Sequence, residues 1–284
     1  MTEDKFTKYM ESEFESKAEE SYITVSDGSQ LRCLRTYAHK EASTNKVLFI
    51  LPGWGSVVLG WEDVLFDAME DFDIVYLESR EKYSSKLVKG TKNNLERFSQ
   101  DVKECLDHLQ LDEENLILMC SSFGGVVLAD GLGKNKFTAS NIIFVAPAIK
   151  IDLVPVMRYF IPIVPHWTMN LVKPIIKLWL KKSKSESPEQ AAKYIRVMNE
   201  ADSRKWKNIS PHFLFWEWWE VYEKVEHEVF LIGAEKDKMH AADLTKRIGQ
   251  LMKNSKYYDL GTNKNTHSKP LIDFVREHVV KKIK

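Results

Sequence analysis

Short apolar runs alternate along this chain with amphipathic stretches. Val47–Leu51, Ile74–Leu77, Leu116–Cys120, Ile142–Val145 and Val229–Ile232 are brief, nearly unbroken, and β-branched or Leu-rich. Such runs fit strands of a parallel sheet covered on both faces. Between them, Leu95–Leu109, Val126–Leu132 and Leu244–Met252 read as amphipathic helices that pack on the sheet. Upstream, Tyr22–Val25 and Leu31–Tyr37 read as two strands, with Asp27-Gly28 as a hairpin turn. Phe6, Met10 and Phe14 share a helical face and predict a short helix within 2–20. A strand near Tyr257–Leu260 and a helix from Pro270 close the chain. Strand–helix alternation of this kind defines an α/β class with a mostly parallel central sheet flanked by helices.

The alternation breaks once. Residues 150–226 are rich in Trp, Pro and Lys and contain no strand-like run, so they read as a helical lid inserted into a core of 1–149 and 227–284. Lys181–Gln190 reads as an exposed loop within it. The 284 residues are 44% hydrophobic and 29% charged, enough for a large core and unlike a disordered composition. A formal net charge of zero gives no case for nucleic acid as a partner. Cys33, Cys105 and Cys120 form an odd set without C-x-x-C spacing, which argues against a disulfide framework or a structural zinc. The acidic start lacks an apolar core, so no signal peptide is expected. No uncharged stretch reaches the roughly 18 residues of a membrane span, and the cytoplasm is the expected location.

The chemistry concentrates in Cys120-Ser121-Ser122-Phe123-Gly124-Gly125, between a strand and a helix. A turn this tight strains the serine and requires small residues two positions away on either side. Around Ser122 those neighbours are Cys120 and Gly124; around Ser121 they are Met119 and Phe123. Ser122 is therefore the expected nucleophile, although a plain Ser-Ser turn into a helix has the same letters. The base and its orienting acid follow in the order Ser, acid, His. Asp237 lies just past the strand Val229–Ile232, with Glu235 as the alternative acid. Of eight histidines, only His267 sits in a loop after the last strand. The Gly-rich turn Pro52-Gly53-Trp54-Gly55 after Val47–Leu51 offers a backbone N–H opposite the elbow, so Trp54 and Phe123 are the expected oxyanion donors.

With these motifs the sequence resembles the α/β-hydrolase superfamily, and within it the monoacylglycerol lipase, lysophospholipase and serine aminopeptidase-like group. The resemblance covers about 20–150 and 227–284 and not the insertion. It implies an α/β-hydrolase fold and a Ser122–Asp237–His267 triad working through an acyl-enzyme, with no cofactor and no metal. One departure is plain. Where the group often has Asp-x-Arg-Gly-His-Gly-x-Ser, this chain has Glu78-Ser79-Arg80-Glu81-Lys82-Tyr83-Ser84-Ser85.

The insertion bears on substrate. Lys150–Lys184 carries seven basic residues and one acidic one, and Lys173, Lys177 and Lys181 lie opposite Leu171, Ile175 and Leu178 on a helical wheel. Such a segment either contacts an anionic membrane or is an ordinary helix with its basic face solvated and its apolar face on the core, the commoner case. Trp167, Trp216 and Trp219 are the candidate acyl-pocket residues, the latter two with Tyr222 at helical spacing. The expected activity is hydrolysis of carboxylic esters of lipid-like substrates, a monoacylglycerol or lysophospholipid. The alternatives are acyl transfer, aminopeptidase-type cleavage, or lipid binding without catalysis. The oligomeric state is open.

Overall fold

The computed structural model describes residues 12–39, 43–150, 158, 159, 161–179, 188–236 and 242–280. Eight strands form one sheet: β1 (Glu19–Thr24), β2 (Gln30–Thr36), β3 (Val47–Leu51), β4 (Asp73–Leu77), β5 (Leu116–Ser121), β6 (Asn141–Val145), β7 (Val229–Gly233) and β8 (Ser255–Asp259). Their order is β1-β2-β4-β3-β5-β6-β7-β8. β1 and β2 form an antiparallel hairpin whose turn uses Gly28 at φ 82°, and β2 joins β4 antiparallel. From β4 through β8 every pairing is parallel.

Side chains in the strands alternate between two apolar layers, as the two-residue period requires. Leu116, Leu118 and Cys120 of β5 join one layer, and Ile117 and Met119 join the other. The first layer is closed by α3 (Leu95–Leu109), α4 (Phe123–Gly133) and α9 (Ala242–Leu251); the second is closed by α2 (Glu62–Ala68) and α10 (Lys269–Val275). Helix α2 escapes sequence reading. It has seven residues, and its N-cap position, Trp61, makes no side-chain cap bond. The expected N-terminal helix is described only as α1 (Glu13–Lys17), with Phe14 buried; Phe6 and Met10 lie outside the described residues.

Between β6 and β7 the chain forms α5 (His166–Trp179), α6 (Pro188–Glu200), α7 (Ser203–Ile209) and α8 (Trp219–Glu223). The expected loop at Lys181–Gln190 lies mostly outside the described residues, and its last three residues already belong to α6. Helix α4 is not amphipathic as expected but buried from Phe123 through Leu132. Its outer side meets α8: a Cβ on Gly125 would come within 3.5 Å of the Tyr222 hydroxyl, and one on Gly133 within 2.8 Å of Lys224 Cβ.

Candidate active site

Because β3 and β5–β8 run parallel, their carboxyl ends share one edge, where ligands bind in open α/β sheets. That edge gathers the Gly53–Trp54 turn after β3, Ser122 after β5, and the His267 turn after β8. Asp237, which follows β7, lies outside the described residues. An open groove of about 740 Å³ lies at the opposite, amino ends, lined by Lys46, Asn115, Ser140 and Glu228, and none of the motif residues reaches it.

Ser122 is the single residue between β5 and α4, at φ 46° and ψ −117°. For a residue with a side chain such a backbone stores roughly 1–3 kcal/mol. It is held by three bonds. The Ser122 N–H donates to Val145 C=O at 3.2 Å, and its C=O accepts from Gly125 and Ala148 N–H, both at 3.0 Å. A Cβ on Gly124 would stand 2.3 Å from the Leu51 carbonyl oxygen, so a larger residue two positions after the serine cannot fit. Two positions before it, Cys120 is fully buried, and burial pushes its thiol well above the usual range, which removes it as a nucleophile.

Ser121 and Ser122 part in role as well as sterics. Ser121 is buried and its hydroxyl accepts the Gly53 N–H at 3.1 Å, tying the β3 loop to the elbow. Ser122 is half-exposed and its hydroxyl donates to no described residue. A Cβ on Gly53 would lie 2.9 Å from Ser122 Cβ, so only glycine lets the loop come this close. Gly53 to Ser56 closes as a tight turn, with Gly55 at φ 63° and Ser56 N–H donating to Gly53 C=O at 3.1 Å. The N–H groups of Trp54 and Phe123 donate to no described residue. Phe123 opens α4, so the helix dipole reinforces its N–H.

His267 ends a short 3₁₀ turn, Asn265–His267. Its Nδ1 lies 3.1 Å from Asn263 C=O and 3.0 Å from Thr266 Oγ1, and its ring packs on buried Trp61 with centroids 4.7 Å apart. A proton on Nδ1, given to the Asn263 carbonyl, leaves Nε2 as the basic nitrogen. No hydrogen bond joins Ser122 to His267 here; such contacts are often longer without substrate. Glu235, the alternative acid, is turned away: its Oε1 pairs with Lys246 Nζ at 2.6 Å on the surface.

Two of the three expected acyl-pocket tryptophans face solvent. Trp167 is 55% exposed and Trp216 is 63% exposed. Trp216 precedes α8 in irregular chain, so the helical spacing assumed for it does not apply. Trp219 lies under Arg247, 4.4 Å from its ring centroid. The apolar wall of the site comes from other residues. Phe123 meets Phe213 at 4.9 Å, Trp54 at 5.4 Å, Phe98 at 5.5 Å and Trp218 at 6.2 Å, and Trp206 of α7 covers Trp54 at 5.9 Å. Their spacing along the chain has no period, so sequence patterning could not group them.

The 78–85 segment is a second feature the motifs missed. Arg80 is fully buried; it pairs with both carboxylate oxygens of Asp101 and with Asp27. Burial raises the Asp101 carboxyl, against the pull of Arg80 and Arg97. Lys82 Nζ donates to Gly53 C=O at 2.5 Å and pairs with Glu81 Oε1 at 3.1 Å. Lys205 of α7 donates to the carbonyls of Lys82, Tyr83 and Ser85, and burial lowers its ammonium. The sequence signals were the match of Arg80 and Ser85 to the related group's pattern and the departure between them, Glu81-Lys82 where that group has Gly-His.

A strained serine elbow, a facing turn and a histidine turn on one edge of this sheet define an α/β-hydrolase. A family model described as "Serine aminopeptidase, S33" matches residues 68–259, more than half of the chain, so the protein belongs to that family of hydrolases. The match includes Ser122 and ends before His267. No curated protein matches the chain in sequence. Solved structures share the fold. A thermophilic esterase from Thermogutta terrifontis has a TM-score of 0.72 at 13% identity, covering 93% of this chain and 99% of its own. The enol-lactonase from Burkholderia xenovorans has 0.71 at 15%, covering 93% and 99%. An esterase from Exiguobacterium antarcticum has 0.70 at 14%, covering 93% and 97%.

Proposed function

We propose that this hydrolase cleaves carboxylic esters of lipid-like substrates, a monoacylglycerol or lysophospholipid, through an acyl-enzyme on Ser122. The observation that carries the chemistry is the elbow: a half-buried serine in a strained backbone, beside two N–H groups without acceptors among the described residues. In this reading His267 Nε2 takes the Ser122 proton, and Asp237 stabilises the imidazolium. The N–H groups of Trp54 and Phe123 hold the oxyanion of both tetrahedral intermediates. Water, activated by the same histidine, then releases the acid. The three cysteines are free and buried, in keeping with a cytoplasmic enzyme. No helix among the described residues is long and apolar enough to cross a membrane.

The substrate class is supported by the polarity of α5. Its apolar residues Trp167, Leu171, Val172, Ile175, Leu178 and Trp179 are exposed, while Lys173 and Lys177 are half-buried. Lys173 Nζ donates to the Ala201 carbonyl at 2.6 Å. This is the reverse of an ordinary helix packed on a core. Ten of the thirteen exposed large hydrophobics among the described residues lie between Tyr159 and Trp216. An apolar stripe with Trp at both ends suits the interface of a bilayer. Residues 158–184 contain six basic side chains and no carboxylate, which suits anionic lipid. A two-fold contact with a second copy would set that cationic segment against itself. The test is a panel of esters varied in acyl length and head group, with aminoacyl anilides beside it, run with and without phosphatidylglycerol vesicles. Turnover rising with acyl length and with vesicles supports the reading. Preference for the anilides, or indifference to both variables, overturns it.

A further inference from the structure

We propose that Lys82 is a positioning residue that sets the oxyanion loop, an assignment that rests on the nucleophilic reading of Ser122. The peptide joining Gly53 to Trp54 carries a carbonyl on one side and the Trp54 N–H on the other. Because the peptide is planar and trans, the two point in opposite directions, and fixing one fixes the other. Lys82 Nζ, almost wholly buried, donates to that carbonyl at 2.5 Å. The contact aims the Trp54 N–H away from the lysine. It also draws electron density toward the carbonyl oxygen and makes the N–H a stronger donor.

The neighbouring residue completes the grip. Glu81 Oε1 accepts the Gly55 N–H at 3.4 Å and pairs with Lys82 at 3.1 Å. The two peptide units that flank the Trp54 Cα are thus each held by one member of a buried ion pair. A tight turn centred on glycine is the kind of backbone in which a peptide can flip, so an anchor on both units has work to do there. The grip is backed from the other side: Lys205 of α7 donates to the Lys82 carbonyl at 2.5 Å and to that of Tyr83 at 3.0 Å. Ser121 adds a third hold, on the Gly53 N–H. The Glu-Lys pair therefore stands where the related group carries Gly-His and gives the loop a charged brace.

The test compares wild type with K82M, with E81Q/K82M, in which no buried charge is left alone, and with K82R. Thermal unfolding monitors the fold. The expected result is a fall in kcat of about 10–100-fold in K82M and E81Q/K82M, below the 10²–10³ typical of losing a whole donor. KM should stay within about threefold, and affinity for a boronic acid that mimics the tetrahedral adduct should fall in step with kcat/KM. K82R should recover most of kcat. A folded E81Q/K82M with kcat within about threefold of wild type overturns the assignment, as does a loss confined to KM. A fluorophosphonate probe is run on wild type and S122A in parallel. A label lost in S122A, with kcat intact in E81Q/K82M, overturns Lys82 alone. A label that survives in S122A overturns the nucleophile and Lys82 with it.

Discussion

Helices α4 and α5 are of similar apolar content and opposite fate. Helix α4 follows the strained Ser122 elbow and is buried from Phe123 through Leu132. Helix α5 has no buried residue, and its largest side chains, Trp167, Ile175 and Trp179, face solvent. The first is apolar because sheet and insertion enclose it. The second is apolar where none of its described residues is buried, and Lys173 acts as a strut to the Ala201 carbonyl. Hydrophobicity thus stands in two settings: in α4 it packs beneath the strained Ser122 turn, and in α5 it faces outward.

Predictions that probe this contrast differ in size. The largest concerns the elbow. S122A should lower kcat by about 10⁴-fold or more and abolish fluorophosphonate labelling, with the unfolding temperature little changed. Next is packing under the elbow. L128A in α4 removes a fully buried side chain and should cost about 2–5 kcal/mol in urea unfolding. The matching change in α5, L171S/I175S/L178S, should leave urea stability within about 1 kcal/mol. It should weaken binding to phosphatidylglycerol vesicles by about tenfold or more. A loss of stability like that of L128A would show that α5 is core after all.

The smallest effect is electrostatic. Burial works to raise the Glu104 carboxyl, but its bonds to Arg97 and Ser26 prevail and bring it down to about 2. A folded-state value below the unfolded one means that the stabilisation is present above about pH 4.5 and is lost as pH falls toward 2. E104Q should therefore cost about 1 kcal/mol at pH 7 and flatten the acid limb of a stability curve; an unchanged limb would show that the bonds do not persist in solution.

The core strands and their edge were legible because each signal is local. Val47–Leu51 and Leu95–Leu109 have the bounds their apolar patterns predicted, since length and period suffice to define them. Ser122 was separable from Ser121 by the bulk of residues two positions away, and the 2.3 Å approach at Gly124 is that same steric rule in atoms. Helix α2 was not legible, for want of length and a cap. The grouping of Trp216 with Trp219 failed because helical spacing was assumed for chain that is not helical.

What the residues determined unaided is the order of strands and turns, and so that Gly53–Trp54, Ser122 and His267 follow strands at one edge of the sheet. Near-neighbour sterics and the alternation of burial are written in consecutive positions. Two facts came only from the folded chain. One is the outward face of α5: a wheel separates lysines from leucines but does not say which side meets protein. The other is the hold of Lys82 on Gly53, 29 residues apart, which exists because β3 and β4 lie side by side and deliver both loops to one place. Both depend on what packs against what, and no local pattern carries that information.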